Sequence, residues 1–536
     1  LGAALALYGV VRRTLLGRGW EAGRVPRLAP SVLSGVEGLA RDSVRSAHSA
    51  AGVAGAAALV WAVHPMQTES VTYIIQRSES LMGLCYLLTL YCVGRGARGE
   101  GRGSRWWYAG AVAACAAGMG SKAVMATAPL AVLLYDRTFL AGTLREAWRR
   151  RWRLYLGLAA TWALLALILC RPHESLTSAG WRVEDVSPWT YALTQAEVVW
   201  HYLRLAVWPA PLILDYQWPR AASWTDVALP MAALSALIGA SVWACARRHP
   251  AGFAGVWVWL VLAPSSSVIP LSDPAAEHRM YLALAGVALL AVAAADAFAR
   301  RAWANARIRH AACGALLGGV VAVFGLLTIR RNADYATAEG MWRTVLAKRP
   351  DNARAHNNLG YHLDDRGSEE EAARAYRRAI ELRPSYVEAR ANLGSLLAEQ
   401  GRVEEALEEV RAALALDPGH APAQNSLGVL ELSRGRTGEA VGAFRSAVAR
   451  DPWYAEAYSN LGVALGMAGR TEEALGAFTT AIRLSPDDAE THNNLGNLRF
   501  RAGDLSGAVE AYRRALELEP TSPVIRKNFE TALKRR

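Results

Sequence analysis

Cysteine is scarce in this sequence, and its positions exclude two kinds of site. The six cysteines all lie within or at the ends of apolar segments, and residues 337–536 contain none. No pair has the CxxC spacing of structural zinc ligands, and no other metal-ligand spacing is visible. We therefore predict no disulfide framework, no metal site and no cofactor, while a need for a divalent metal in solution stays open.

Long apolar runs are also absent from residues 337–536, but they dominate residues 1–330. The chain has 536 residues, of which 52% are hydrophobic, and its mean hydropathy of +0.11 is high for a soluble protein. Apolar segments lie near residues 1–11, 48–63, 79–94, 106–119, 123–135, 154–170, 189–214, 226–245, 252–271, 280–298 and 311–329. We predict an all-α protein in which residues 1–335 form a polytopic transmembrane helical domain with about ten crossings.

Acidic residues do not balance the arginines, and the net charge is +12. Such a charge suggests nucleic acid, but the arginines cluster in the short gaps between apolar segments, where the positive-inside rule places cytoplasmic charge. We therefore predict no nucleic-acid partner. The gaps assigned to the cytoplasm are 12–47, 95–105, 136–153, 247–248 and 300–309.

This assignment decides the side of every other loop. The outer side then holds residues 64–78, 120–122, 171–225 and 272–279. It requires segment 189–214, which contains Glu197, His201 and Pro209, to lie in the outer interface as an amphipathic helix. The last crossing exits outward, so the C-terminal part of the chain is predicted to be non-cytoplasmic, although Arg330 and Arg331 directly after that crossing argue for the opposite side.

A 34-residue repeat fills the C-terminal part of the chain. Prolines recur at 350, 384, 418, 452, 486 and 520, and Leu-Gly pairs at 359–360, 393–394, 427–428, 461–462 and 495–496. This period, with small residues where helices meet, is the tetratricopeptide (TPR) signature of stacked helix-turn-helix units. We predict a TPR α-solenoid over residues 336–536, with five full repeats in 353–522 and a capping helix at 523–536.

Asparagine precedes four of the five Leu-Gly pairs, at Asn358, Asn392, Asn460 and Asn494. These positions lie on the first helix of each repeat, which lines the concave face. One interpretation is a peptide-binding ladder, because asparagine both donates and accepts hydrogen bonds; a similar ladder occurs in TPR proteins that glycosylate polypeptides. The other is that asparagine is simply a common TPR consensus residue.

Ionisable residues gather in the predicted outer loops, in runs 64–70, 76–79, 121–122 and 277–281. Charges at a membrane edge are costly unless they are paired or used. One interpretation is a site in which arginine binds a phosphate and a carboxylate acts as a base. The alternative is a set of interfacial salt bridges and helix caps.

Three runs carry a family resemblance: HPMQTESVTYIIQRSESL, SKAVMATAPLAVLLYDRTF and AEHRMYLALAGV, in this order before a TPR array. They resemble the transmembrane-and-TPR O-mannosyltransferases and their bacterial relatives. The resemblance implies a GT-C glycosyltransferase fold in the bacterial inner membrane. It also implies transfer of a mannose-like sugar from a polyprenyl-phosphate carrier to Ser or Thr of non-cytoplasmic proteins. The implied partners are an acceptor polypeptide on the TPR concave face, the lipid-linked sugar and membrane lipids.

By that likeness, seven residues fall on the family's motif positions. The candidate catalytic residues are Glu69, Lys122 and Glu277, and the candidate substrate-binding residues are His64, Arg77, Arg279 and Tyr281. We expect Lys122 and Arg279 near the carrier phosphate, with Glu69 and Arg77 shaping the same pocket.

Two departures from the family bear on activity. The acidic pair of the family's first outer loop would precede Leu1, and Lys122 is followed by Ala123 where the family commonly has Glu. We therefore expect an N-terminally truncated chain, from a protein that is an enzyme at full length and whose activity as given is in question.

The competing function is a non-enzymatic, membrane-anchored TPR scaffold for protein–protein assembly; a transporter is disfavoured because no inverted repeat is visible. Glu69, Arg77, Lys122 and Arg279 in one cavity would favour the enzyme. Their separation into independent salt bridges would favour the scaffold.

Overall fold

The computed structural model describes residues 2–20, 50–72, 77–99, 102–170, 187–266, 270–271 and 273–536. Throughout these ranges the regular elements are helices, so the predicted all-α class is confirmed. The chain divides into two compact units, Leu1–Thr344 and Val345–Arg536. We call them the membrane unit and the solenoid; the sequence-based boundary at residue 335 falls slightly earlier.

The membrane unit contains thirteen α-helices in its described ranges, and the last of them runs across the boundary between the units. They are α1 (Gly2–Trp20), α2 (Ala50–Val63), α3 (Thr68–Thr72), α4 (Arg77–Gly96), α5 (Arg102–Met119), α6 (Ala128–Tyr135), α7 (Leu144–Leu169), α8 (Pro188–Val207), α9 (Ala228–Ala246), α10 (Pro250–Leu262), α11 (Met280–Ala302), α12 (Ala306–Asp334) and α13 (Ala338–Lys348). Short 3₁₀ turns lie at Pro65–Gln67, Ala123–Thr127 and Glu277–Arg279, and a π-helical turn lies at Asp136–Leu140.

Four helical stretches among the described residues are long and apolar enough to cross a membrane: Ala123–Leu140, Ala228–Ala246, Glu277–Ala302 and Ala306–Asp334. The helices Ala50–Val63 and Pro250–Leu262 are apolar but shorter. These helices support a membrane protein, and the figure of about ten crossings stays a prediction.

The predicted interfacial segment 189–214 is helical only in its first part, α8. Ser187 caps the helix by accepting a hydrogen bond from the Thr190 N–H at 3.0 Å, and Pro188 occupies the first helical position. The helix ends at Val207 because a proline at 209 cannot donate to a continuing helix. The irregular chain after it brings residues 212–216 against Glu277 and Arg331.

The solenoid consists of helix pairs at the predicted repeats. The first helices are α14 (Ala353–Asp365), α16 (Val387–Glu399), α18 (Ala421–Ser433), α20 (Ala455–Met467) and α22 (Ala489–Arg501), and the second helices are α15 (Glu369–Leu382), α17 (Val403–Leu416), α19 (Thr437–Arg450), α21 (Thr471–Leu484) and α23 (Leu505–Leu518). The capping helix is α24 (Pro523–Arg535). Successive first helices contact one another directly, and α24 continues their row. We call this row the inner face.

Gly428 shows why each Leu-Gly pair needs a glycine. A Cβ at Gly428 would lie 2.5 Å from Cε1 of Phe444, a ring that is 1% exposed between the two helices of its repeat. The equivalent contacts recur at the other repeats, with Tyr376, Val410, Phe478 and Tyr512 against their glycines.

We expect Gly428→Ala to destabilise repeat 3 by about 1–3 kcal/mol, because the added methyl group overpacks the Phe444 ring. Gly442→Ala, in the second helix of the same repeat, is the matched control. No atom lies within 4 Å of its added Cβ, so alanine stabilises the helix by up to about 1 kcal/mol. Hydrogen exchange of α18 and α19 in the full chain measures both effects. Equal protection in the two variants would contradict the packing argument.

Candidate functional site

The Glu277 carboxylate is buried where three segments of the membrane unit meet. It is 1% exposed. Its Oε1 accepts hydrogen bonds from the Ile213 N–H at 2.6 Å and from the Tyr216 hydroxyl at 2.8 Å. Its Oε2 lies 3.5 Å from Nη2 of Arg331. The 3₁₀ turn before α11 thus holds this carboxylate against the irregular chain after α8 and the end of α12.

Arg331 completes this group from the last turn of α12. Only 6% of the residue is exposed. Besides Glu277, its guanidinium donates to the Leu212 carbonyl at 3.1 Å, to Asp334 at 3.2 Å and to the Tyr335 hydroxyl at 3.1 Å. The arginine that argued against outward placement is therefore a buried, ion-paired residue rather than a free surface charge.

Glu69 lies beside this group, in α3, and pairs with His278. Glu69 Oε1 is 2.6 Å from Nδ1 of His278, and Oε2 accepts from the His278 backbone N–H at 3.2 Å. The side chains are 3% and 16% exposed, respectively. A carboxylate held by an imidazole in this way is a pair that can accept and pass a proton.

His64 caps the 3₁₀ turn that follows α2. Its Nδ1 accepts from the Met66 N–H at 3.2 Å, and its Nε2 lies 3.1 Å from the Ala206 carbonyl. Burial lowers the pKa of His64 to about 4, and the bond to Ala206 opposes this shift. The imidazole is therefore neutral at pH 7 and ties the end of α2 to the end of α8.

Lys122 forms a separate ion pair after α5. Its Nζ lies 3.1 Å from Oε1 of Glu79, and the side chains are 32% and 7% exposed, respectively. Glu79 belongs to the first turn of α4, and the neighbouring Ser80 hydroxyl donates to the Ser70 carbonyl at 2.8 Å. Lys122 is thus a partly exposed cation beside the first turn of α4. Arg77 begins α4, and its side chain lies outside the described residues.

Arg279 forms hydrogen bonds, and Tyr281 forms packing contacts, with other parts of the protein. The Arg279 guanidinium donates to the Pro274 carbonyl at 2.7 Å and to the Asp273 carbonyl. Tyr281 is 6% exposed and packs edge-on against Trp61 at 5.2 Å between ring centroids. Both residues fix the chain around the start of α11.

Six of the seven residues predicted from the resemblance are therefore described, and all six lie in the loops and helix ends that the topology argument assigned to one side. They do not share one group of contacts. Lys122 and Glu277 belong to different ion pairs, and Glu69 is hydrogen-bonded to His278 instead. A groove of about 680 Å³ between α1 and α4 is lined by other residues, Arg12, Arg13 and Arg98 among them.

The arginine-rich loops meet elsewhere, around Asp136. Asp136 is fully buried and accepts from Arg151 at 2.7 and 2.9 Å and from the Tyr155 hydroxyl. Arg137 donates to the last carbonyls of α9, Cys245 at 3.0 Å and Ala246 at 3.1 Å. Two of the predicted cytoplasmic gaps, 136–153 and the one that begins after α9, are thus bonded together. Residues 21–47 of the first arginine-rich gap lie outside the described residues.

In the solenoid, three of the four asparagines of the predicted ladder bond to a second set of asparagines. Asn392 Nδ2 donates to Asn357 Oδ1 at 3.0 Å, and Asn460 Nδ2 donates to Asn425 Oδ1 at 3.0 Å. The same bond recurs between Asn528 and Asn493 at 2.9 Å. Asn358 accepts from its neighbour Asn357 at 3.2 Å. The acceptors Asn357, Asn425 and Asn493 recur every 68 residues. These bonds therefore join the helices of the inner face, which we call the inner helices, in pairs: α14 with α16, α18 with α20, and α22 with α24.

Sequence reasoning did not select four residues that complete the candidate site: Glu79, His278, Tyr216 and Arg331. Glu79 and His278 lie inside the runs that carry the family resemblance, so that resemblance could have identified them as candidate site residues. Tyr216 and Arg331 lie outside those runs, and only the fold brings them to Glu277. No cluster of three or more metal-ligating side chains occurs in the described ranges.

Comparison with known proteins supports both units. Residues 42–174 match the family model of dolichyl-phosphate-mannose-protein mannosyltransferase, and the tetratricopeptide-repeat model matches overlapping stretches from 330 to 523. Protein O-mannosyl-transferase TMTC4 of Mus musculus is 27% identical over 362 residues, which are 60% of this chain and 48% of that protein. The Homo sapiens protein of the same name is 27% identical over 360 residues, with the same two shares.

The chain therefore spans about half the length of the curated relatives it matches. Among solved structures, a thermophilic TPR protein of Thermus thermophilus is 24% identical, with a TM-score of 0.31, covering 34% of this chain and all (100%) of that one. MamA of Desulfovibrio magneticus RS-1 is 27% identical, with a TM-score of 0.28, and covers 32% of this chain and 97% of its own. The predicted resemblance is confirmed: a membrane unit similar to protein mannosyltransferases is followed by a TPR array.

Proposed function

We propose that the protein is a membrane glycosyltransferase that transfers a mannose-like sugar from a polyprenyl-phosphate carrier to Ser or Thr of proteins outside the cytoplasm. The observation that carries the proposal is the mannosyltransferase match over residues 42–174, which includes His64, Glu69, Arg77 and Lys122. In the proposed reaction, the acceptor hydroxyl oxygen attacks the anomeric carbon and the bond from that carbon to the carrier phosphate breaks. The hydroxyl proton passes to a carboxylate.

Lys122 is the residue we assign to the carrier phosphate. Its side chain is 32% exposed, and its partner Glu79 is a carboxylate that a phosphate can replace. Arg77 and Arg279 add positive charge at the starts of α4 and α11. Glu69, held by His278 at 2.6 Å, is the proposed proton acceptor, and Glu277 supports the same region.

The proposed orientation places the candidate site and the solenoid outside the cytoplasm of a bacterial inner membrane. Arg331 supports it, because a buried guanidinium paired with Glu277 and Asp334 is not a free charge for the positive-inside rule. The solenoid then serves as the acceptor-binding arm. In that arm, the carbonyl oxygens of Asn358, Asn392, Asn460 and Asn494 are proposed to receive backbone N–H groups of the bound polypeptide.

A transfer assay tests the proposal. The protein at its native length, in membranes, receives a labelled polyprenyl-phosphate sugar and a Ser/Thr-containing polypeptide. We expect Lys122→Gln to lower transfer about ten- to a hundred-fold, because a hydrogen bond from a charged donor to the phosphate is lost. Lys348→Gln, an exposed lysine in α13, is the matched control and should leave transfer unchanged. Absence of transfer with any donor would reject the enzyme.

The second candidate is the non-enzymatic TPR scaffold, and one observation favours it. The three candidate catalytic side chains each have a polar partner within the protein: Glu79 for Lys122, His278 for Glu69 and Arg331 for Glu277. In a scaffold these pairs only lock loops together, so Lys122→Gln would lower stability slightly and leave polypeptide binding intact.

A further inference from the structure

The charge and polarity of the solenoid's inner face change from one end to the other. The last residue of each inner helix is solvent-exposed: Asp365, Glu399, Ser433, Met467, Arg501 and Arg535. Along the solenoid, this row therefore runs from two acids through a small polar and an apolar residue to two arginines. We call these thirds the acidic third, the apolar third and the basic third.

Neighbouring residues reinforce the two charged thirds. In the acidic third, Asp364 precedes Asp365. Burial and, to a smaller extent, the nearby Glu369 carboxylate raise the pKa of Asp364. Burial and, to a smaller extent, the Asp364 carboxylate raise the pKa of Glu399. These carboxylates are thus close enough to repel one another. In the basic third, the Arg535 guanidinium lies over the Phe500 ring, 5.2 Å from its centroid.

The apolar third forms a recess between repeats 3 and 4. Its volume is about 300 Å³, and its lining includes Val429, Leu432, Val463 and Asn460. Val429 is 41% exposed and Met467, at the end of the same helix as Val463, is 52% exposed. Exposed apolar side chains around a recess on a solenoid's inner face are what an apolar side chain of a ligand requires.

Helix stability does not explain the acidic third. The C-terminal end of a helix carries partial negative charge, so cations stabilise it and carboxylates destabilise it. Arg501 and Arg535 obey this rule at the ends of α22 and α24. Asp365 and Glu399 break it at the ends of α14 and α16, which is expected where a binding surface and not the helix sets the residue.

We propose that the inner face binds an extended polypeptide segment whose charges are segregated: basic residues on the acidic third, an apolar side chain in the recess of repeats 3 and 4, and acidic residues on the basic third. The proposal rests on the acceptor-binding role of the solenoid proposed above and specifies the class of polypeptide it takes. Charge complementarity at both ends also fixes the direction in which the segment lies.

Peptide binding to the full chain in detergent tests this proposal. Six inner helices spaced by about 10 Å span about 50 Å, which an extended peptide of about 15 residues covers. One labelled peptide has a basic, an apolar and an acidic third, and the other has the same composition with its charges interleaved. We expect fluorescence anisotropy to show at least about ten-fold tighter binding of the segregated peptide, weakening with added salt.

The double variant Asp365→Lys/Glu399→Lys should weaken binding of the segregated peptide about ten-fold, because neither peptide direction then satisfies both ends. The matched control, Glu370→Lys/Glu404→Lys, makes the same charge change at exposed positions of the second helices α15 and α17 and should leave affinity unchanged. A photo-crosslinker at the basic end of the peptide should label repeats 1 and 2.

Equal affinity for the two peptides, no binding of either, or labelling of repeat 5 would each overturn the proposal. So would sedimentation showing that this face instead binds a second copy of the chain and that the peptide does not compete. Sugar transfer plays no part in these measurements. Segregated-peptide binding without transfer would therefore retain the inference and contradict only the enzymatic function.

Discussion

Replacing Arg331 with methionine is expected to lower the free energy of unfolding of the membrane unit by about 3–5 kcal/mol. The substitution keeps an apolar stem of similar length but removes the guanidinium. The Glu277 carboxylate, 1% exposed, would remain with only the Ile213 N–H and the Tyr216 hydroxyl as donors. Asp334, Tyr335 and the Leu212 carbonyl would lose a donor as well.

The measurement is the midpoint of unfolding in mixed detergent–SDS micelles, with Arg330→Met as control because Arg330 is exposed in the same turn of α12. The double variant Arg331→Met/Glu277→Leu removes both charges. It should therefore be more stable than Arg331→Met alone, because the uncompensated carboxylate is gone. A double variant that is less stable than either single variant would show that the ion pair is not the source of the effect.

Asp136→Ala is expected to cost a similar amount, about 3–5 kcal/mol, through the arginine-rich loops. The carboxylate is fully buried in the π-helical turn after α6, and its partner Arg151 has an 8% exposed side chain. Arg151 lies at a kink in α7, with φ −135° and ψ 26°, and also donates to the Tyr108 hydroxyl at 2.9 Å. Alanine would strand this guanidinium in a site that few water molecules reach.

Glu146→Ala provides the contrast in the same helix. Glu146 pairs with Arg150 at 2.6 Å, but the two side chains are 33% and 59% exposed. Water and salt screen such a pair, so the unfolding midpoint should not move. If Glu146→Ala and Asp136→Ala shifted the midpoint equally, burial would not decide the strength of these pairs.

The solenoid is the part of the fold that sequence periodicity predicts best. The spacing of prolines and Leu-Gly pairs placed each helix pair, because a TPR unit contacts only its neighbours and its pattern is local. The same reasoning selected Asn392 and Asn460 but not their acceptors Asn357 and Asn425. Those acceptors lie one position before the ladder in alternate repeats, and only the packing of adjacent inner helices shows that the two sets meet.

Less of the membrane unit than of the solenoid could be predicted from the sequence. Arginine placement in the sequence grouped the loops into two sets, and the structure bonds several members of each set together. The partners were not predictable, because Glu69 and His278 are 209 residues apart, and Glu277 and Arg331 are 54 apart. By sequence alone, Arg331 counts as a charge that sets the orientation of the last membrane crossing. Its burial and its ion pair with Glu277 give it a structural role instead.

The sequence by itself thus determined the helical class, the TPR array and the loops in which ionisable residues collect. These features depend on composition and on short-range periodicity, which each helix expresses locally. Tertiary structure alone decided which ions are paired, which are exposed, and which asparagines join neighbouring helices. Burial and pairing depend on segments that are distant in sequence, so no local pattern carries that information.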